Sequence, residues 1–192
     1  KNIISGEGGM LVVNDPQFVK RAEVIWEKGT NRSAFFRGEV DKYGWVDVGS
    51  SFLPSDIIAA FLWAQLENLE NIQLKRKQLW NLYMDSFTRL NLKKIGLPVV
   101  PEYATNNAHM FYLVTSNIKQ RTQIIKLLKD NGFHCVFHYL SLHLSPFYIE
   151  NHDGRDLNNT DKFAHSLLRL PMYYDLEEKT IKGINEIIKK HR

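Results

Sequence analysis

Apolar positions recur at helical spacing in several separate stretches of this chain, and the gaps between them fall at residues that stop helices. Phe18, Ala22, Ile25 and Trp26 share one face of a helix. Asp15 can cap its free N–H groups, Pro16 occupies the tolerated first turn, and Gly29 ends it. Ser55 is the expected cap of a long helical stretch running towards Leu90. Ile58, Leu62, Leu66 and Leu69 form one stripe there, and Leu79, Tyr83 and Phe87 resume it beyond a polar region at 71–78, where a bend or break is expected. Residues 10–14 read as a short strand. From Leu97 onward short strands alternate with helices: a strand at 109–115, a helix at 120–131 stopped by Gly132, and a strand at 133–139. A helix at 160–168, an extended piece at 169–172 and a last helix follow, the last opened by Asp175 with Glu178 three positions on, as in a capping box. This alternation predicts an α/β protein. Residues 30–51 are the exception, with no steady period and a mixture of glycine, charge and aromatic rings, which at this length indicates a binding or interface loop.

Composition narrows the function classes. The chain has 192 residues, of which 44% are hydrophobic and 24% charged, enough for one or two domains with a real core. The longest apolar run, 57–64, is far short of a bilayer span, and no secretion leader opens the sequence. A single cysteine, Cys135, precludes an internal disulfide and suits a reducing cytoplasm. The net charge of +4 is concentrated in Lys75, Arg76 and Lys77 and in the closing Lys189, Lys190 and Arg192. No nucleic-acid motif accompanies these charges, so they read as solvated helix faces that also help attract an anionic ligand. His134, Cys135, His138 and His143 invite a metal reading. On a strand, however, His134 and His138 share one face while Cys135 and Tyr139 take the other, and the spacing makes no closed tetrahedral set. No metal is expected.

Four phrases carry chemistry. The first is Lys1 followed by Gly6, Glu7, Gly8 and Gly9. The second runs Val48, Gly49, Ser50, Ser51, Phe52, Leu53, Pro54, Ser55, Asp56, with Ala59, Ala60, Gln65 and Leu66 after it. His138, Tyr139, Leu140, Ser141, Leu142 and His143 make the third, and Leu170, Pro171, Met172 and Tyr173 the fourth. A primary amine such as Lys1 condenses with an aldehyde, is displaced by another amine, and moves a proton on a flexible stem. In this order the phrases resemble the sugar aminotransferases of the DegT/DnrJ/EryC1/StrS family, pyridoxal-phosphate enzymes of fold type I.

The resemblance implies that this chain is the C-terminal part of such an enzyme. Residues 1–90 would complete the large cofactor-binding domain and supply an interdomain helix, and residues 91–192 would form the small α/β domain. Lys1 would be the catalytic residue that bonds to pyridoxal 5'-phosphate. Ser51 stands where many relatives carry an asparagine for the cofactor phosphate of the neighbouring subunit, so it implies a homodimer with a shared active site. Leu53 and Pro54 depart from the arginine and methionine usual there. His138 and Tyr139 would face the sugar, while Arg37 and Tyr43, with Arg32 and Lys42 nearby, would bind the nucleotide-sugar substrate. The stretch from Gly29 to Trp45 further resembles the branch that makes dTDP-4-amino-4,6-dideoxygalactose for enterobacterial common antigen. Glutamate would then be the amino donor and a dTDP-4-keto-6-deoxyhexose the acceptor, with no nucleic-acid or membrane partner. Two alternatives remain open at this point: a dehydratase of the same fold, in which a histidine replaces the lysine, and a non-enzymatic α/β binding module.

Overall fold

Tyr83, Phe87 and Phe111 stack nearly parallel, with Tyr83 and Phe111 centroids 4.9 Å apart, and Trp80 closes on Phe111 edge-on at 5.5 Å. This cluster marks the core of the larger of two compact units in the computed structural model, which describes residues 1–190. The larger unit holds Lys1–Asn2 and everything from Leu69 on; the smaller is Ile3–Asn68.

In the larger unit, helix α4 (Leu69–Leu90) leads to strand β1 (Phe111–Val114), helix α5 (Ile118–Asp130), strand β2 (Val136–Phe137), helix α6 (Asn158–Ser166), strand β3 (Leu167–Leu170) and helix α7 (Glu178–Lys190). The strands form an antiparallel sheet in the order β1-β3-β2. Phe111 opposes Leu170 and Leu113 opposes Leu168, so all four present one apolar face. Leu79 from α4, Leu128 from α5 and Ile181, Ile184 and Ile188 from α7 complete that core. Full burial of such a side chain contributes roughly 1.5–3 kcal/mol, so this layer dominates the unit's stability. The opposite face carries Tyr112, Val136 and Arg169 in register, half-buried, with His138 following Val136 at strand spacing.

The smaller unit contains helices α1 (Val19–Trp26), α2 (Arg32–Phe36) and α3 (Asp56–Glu67). Asp15 and Ser55 cap as expected, accepting from the Gln17 and Ile58 amides at 3.0 and 3.3 Å. The loop at 47–51 lies on the end of α1: Ser50 N–H donates to the Ile25 carbonyl at 3.0 Å and Lys28 N–H to the Ser50 carbonyl at 3.1 Å. Only glycine fits at position 49, where a Cβ would collide with the Gly29 nitrogen and come within 2.7 Å of the Ile25 oxygen. Residues 9–15 and α1 line an apolar groove of about 1110 Å³.

Several expected boundaries move. The long helical stretch breaks at Asn68, not at 71–78, because Asn68 turns its side chain onto the Ala64 carbonyl (3.0 Å) and closes α3. Residues 10–14 form no strand, since no described strand pairs with their backbone and Met10, Leu11 and Val12 lie exposed. The strand expected at 133–139 keeps its ladder only over Val136–Phe137. The last helix opens at Glu178 instead of Asp175, because Leu176 turns into the core and its N–H closes a turn on Tyr173. Of the closing basic cluster, His191 and Arg192 lie outside the described residues. Among the described residues no helix is long and apolar enough to cross a membrane.

Candidate functional site

Asn2 fixes the start of the chain. Its amide group donates to the Asn107 carbonyl (2.6 Å) and to Gln73 Oε1 (3.0 Å), while its Oδ1 lies 3.2 Å from His109 Nδ1. With the Asn2 nitrogen spent on two acceptors, its oxygen must accept, so this network assigns the imidazole proton to Nδ1. The turn it grips is built by its own side chains: Asn106 Oδ1 accepts from the Ala108 amide at 2.8 Å and Asn107 Oδ1 from the His109 amide at 3.1 Å.

Between them Ala108 is fully buried in the left-handed region, at φ 53°. That conformation costs an L-residue on the order of 1–2 kcal/mol, and α4 supplies what holds it. Gln73 binds the Asn107 carbonyl. One turn on, Arg76 donates from Nε to the Ala108 carbonyl (3.1 Å) and from Nη2 to the His109 carbonyl (2.5 Å). Arg76 is only 4% exposed, and burial lowers its pKa. Lys1, the residue before Asn2, is exposed and makes no ion pair among the described residues. Burial, then Lys1, then Arg76 and Arg169 hold the His109 pKa below its ordinary value. The region is therefore cationic and its histidine neutral.

The sheet's second face continues this region. Arg169 opposes Val136, two residues before His138. Its guanidinium carbon lies 5.8 Å from the Tyr139 ring centre, and the His138 and Tyr139 rings meet edge-on at 5.1 Å. Arg169 Nε and His138 Nδ1 are both buried without a partner among the described residues. An unmet buried polar group costs about 1–3 kcal/mol. Burial first, and then Arg169, lowers the His138 pKa. Beyond this pair, Ser141 Oγ donates to Asp161 Oδ1 at 2.7 Å, the buried His143 reaches the same oxygen at 3.3 Å, and the His143 ring lies 5.0 Å from His152. The Ser141 hydrogen bond, then His143, holds the Asp161 carboxyl low despite some desolvation. This brace fixes the loop that follows Tyr139. Among the described residues no group of His, Cys, Asp or Glu is placed to hold a metal ion.

The structure thus brings Lys1, His138 and Tyr139 into one unit, with Arg169 acting on both His109 and His138. Arg37, Tyr43 and Ser51 belong to the other unit. Arg37 forms a two-pronged pair with Glu23 (3.0 and 2.9 Å) and meets Glu39 at 2.7 Å; these carboxylates raise its pKa further. Tyr43 leans on Phe35 at 5.6 Å. Ser51 is exposed, with its backbone bridged to Glu27. Sequence reasoning missed Asn2, Gln73 and Arg169 and took Arg76 for a solvated charge. One signal was available: Arg169 is a lone charge among Leu167, Leu168 and Leu170.

The model of the DegT/DnrJ/EryC1/StrS aminotransferase family matches residues 1–189. An uncharacterized protein of Methanocaldococcus jannaschii, MJ1066, is 25% identical over 99% of this chain and 51% of its own length. Among solved structures, the sugar aminotransferase CalS13 of Micromonospora echinospora superposes with a TM-score of 0.84 at 18% identity, covering 100% of this chain and 50% of its own. The aminotransferase TlmJ of Streptoalloteichus hindustanus gives 0.83 at 20% identity, over 99% and 49%. The chain spans about half the length of the relatives it matches.

Proposed function

The chain belongs to the DegT/DnrJ/EryC1/StrS aminotransferase family, and from that premise we propose that it is the C-terminal portion of a pyridoxal-phosphate-dependent enzyme moving an amino group from glutamate to C4 of a dTDP-4-keto-6-deoxyhexose. The observation that carries this reading is the placement of Lys1: its neighbour Asn2 is fixed by hydrogen bonds to Asn107, Gln73 and His109, and no carboxylate neutralises its amine among the described residues. The residues present fit the cofactor. An uncompensated primary amine in a cationic region suits a phosphorylated aldehyde, and the hydroxyl of Ser51 has no hydrogen-bond partner among the described residues. Lys1 would hold the aldehyde end and Ser51 would offer its hydroxyl to the phosphate of a neighbouring subunit in a homodimer.

When bound, pyridoxal phosphate supplies the electron sink. The chain's own residues do the rest. Lys1 Nζ carries the proton to and from C4 of the sugar, the role for which a flexible primary amine is suited. His109, uncharged and tied through Nδ1 to Asn2, keeps the backbone beside Lys1 in place. His138 and Tyr139 line the sugar side, and Arg37 and Tyr43 meet the nucleotide diphosphate, for which Arg37 must exchange its exposed carboxylate partners. The stretch from Gly29 to Trp45 supports dTDP-4-amino-4,6-dideoxygalactose as product, made in the cytoplasm for a surface polysaccharide such as enterobacterial common antigen. Borohydride reduction of the holoenzyme followed by peptide mapping tests the reading. The pyridoxyl group is expected on Lys1, and label on any other lysine overturns it.

A further inference from the structure

We propose that Asp161 is a positioning residue for the sugar side of the site: through Ser141 and His143 it sets the segment that carries His138 and Tyr139, and with it the affinity for the keto-sugar. That role rests on the aminotransferase reading above; the brace itself rests on geometry.

The loop that follows β2 is turned inside out. Tyr139, Leu140, Leu142 and Leu144 are all exposed, while Ser141 and His143 are only 6% and 7% exposed. Apolar burial is therefore not what fixes this loop. Its two inward side chains are polar, and both converge on one carboxylate oxygen. Ser141 Oγ donates to Asp161 Oδ1 at 2.7 Å, and His143 Nε2 stands 3.3 Å from that same atom. A carboxylate only accepts, so both partners donate and the His143 proton is assigned to Nε2. Hydrogen bonds that end on a charged group are about twice as strong as neutral ones. Asp161 stays charged at neutral pH, because the Ser141 hydrogen bond and then His143 hold its carboxyl below the ordinary value. His152 closes the other side of His143, with its ring 5.0 Å away and its Nε2 donating to the Arg155 carbonyl at 3.0 Å.

His138 and Tyr139 depend on this brace because the sheet releases them. The ladder of β2 on β3 ends at Phe137, opposite Leu168, and residues 138–140 continue without strand pairing to Ser141. The backbone bonds beyond are internal to the loop: Leu144 N–H donates to the Ser141 carbonyl (3.1 Å) and Ser145 N–H to the Leu142 carbonyl (3.0 Å). They shape the turn without tying it to the sheet. The Arg169 guanidinium meets the Tyr139 ring at 5.8 Å, a weak contact at a ring this exposed. Asp161 supplies the tie, and its own footing is firm. It lies on α6, whose Ser166 carbonyl accepts from the Thr115 amide and hydroxyl (both 2.9 Å) and whose Ala164 carbonyl accepts from Arg121 (2.6 Å). That helix runs directly into β3. His138 and Tyr139 are thus held between two fixed points, the end of β2 and the Asp161 oxygen. Without the second point they sample more positions, which weakens binding of the substrate they line more than the chemical step.

The test uses the full-length holoenzyme and three variants. Asp161→Ala removes the acceptor, and Asp161→Asn keeps an acceptor oxygen without the charge. Ser141→Ala removes one donor and leaves untouched the first turn of α6, where Asp161 also faces the helix dipole. Hydrogen exchange at the Leu144 and Ser145 amides, without substrate, reads the loop directly. In Asp161→Ala it should quicken by about ten- to a hundredfold, and by less in the other two, with the amides of β1 and β3 unchanged. Steady-state kinetics should then show the KM for the keto-sugar rising about tenfold in Asp161→Ala with kcat within about threefold of the parent. Smaller rises in Asp161→Asn and Ser141→Ala should follow their exchange rates. Should β1 and β3 lose protection in Asp161→Ala, Ser141→Ala decides by the same criteria. A parent-like KM in a variant whose loop has loosened overturns the proposal, as does unchanged exchange, or a fall in kcat with KM unmoved. The aminotransferase reading fails by a different result: a parent that moves no amino group to the keto-sugar removes that reading, and the sugar role with it, whatever the exchange rates.

Discussion

Arg76 carries the most instructive test of how the site is held. Replacing it by methionine keeps most of the volume but removes the donors to the Ala108 and His109 carbonyls. Two hydrogen bonds from a charged group contribute about 1.5–3 kcal/mol each. Two terms run the other way: a buried cation no longer has to be desolvated, consistent with its lowered pKa, and Ala108 is free to leave its left-handed conformation, returning about 1–2 kcal/mol. The difference leaves a net loss of about 2 kcal/mol, or about a 30-fold rise in the opening constant of the unit. Native-state hydrogen exchange on amides of β1 and β3 reads that opening without averaging in residues 3–68. The titration midpoint of His109 should rise in the same variant, because one of the cations that lower it is gone and the turn that desolvates it is looser. Exchange within threefold of the parent, together with an unchanged His109 midpoint, would refute the claim that Arg76 clamps this turn.

Other consequences are equally open to measurement. Gly49→Ala forces a Cβ into the Gly29 backbone and should lower the stability of the 3–68 unit by more than about 2 kcal/mol; unchanged protection of the Lys28 and Ser50 amides would contradict this. Tyr83→Phe removes the hydroxyl that donates to the Pro171 carbonyl at 3.0 Å and should cost about 1–1.5 kcal/mol in the larger unit, while a neutral result would mean the carbonyl finds water. Because α4 supplies Leu79, Tyr83 and Phe87 to the core, a fragment beginning at Leu69 should melt cooperatively, whereas one beginning at Asn91 should bind a hydrophobic dye and melt without a transition. The pH dependence follows from His109 and His138, whose folded pKa values are depressed. The unfolded chain then binds more protons, so their stabilisation is complete above about 6.5 and is lost as pH falls from there towards the folded values. Unfolding free energy of the larger unit should drop between about pH 7 and pH 5, less so in a His138→Phe variant; a flat profile over that range would show both histidines to be unperturbed.

Much of the local structure was legible in the residues alone. Asp15 and Ser55 cap because a short polar side chain before an apolar-periodic run has free amides to accept from, which needs no information from elsewhere in the chain. The faces of α4 and α5 were readable for the same reason, since period fixes which residues share a side, whereas Leu167 and Leu168 read as the end of a helix and are the first half of β3. The phrase order from Lys1 to Tyr173 was enough to indicate the family. What the linear pattern could not hold is pairing across distance. Asn2 meets Asn107 over 105 positions, and Tyr83 meets Pro171 over 88. Periodicity also could not show that residues 10–14 lack a ladder, because a strand is defined by its neighbour's hydrogen bonds and not by its own sequence. The unusual conformation of Ala108 was invisible because alanine carries no mark of a positive φ; only the carbonyl clamp of Arg76 makes it tenable. Arg169 and His138 lie 31 positions apart in sequence, and only the antiparallel pairing of β2 on β3, which sets Val136 opposite Arg169, brings the two near enough for the arginine to lower the histidine's pKa.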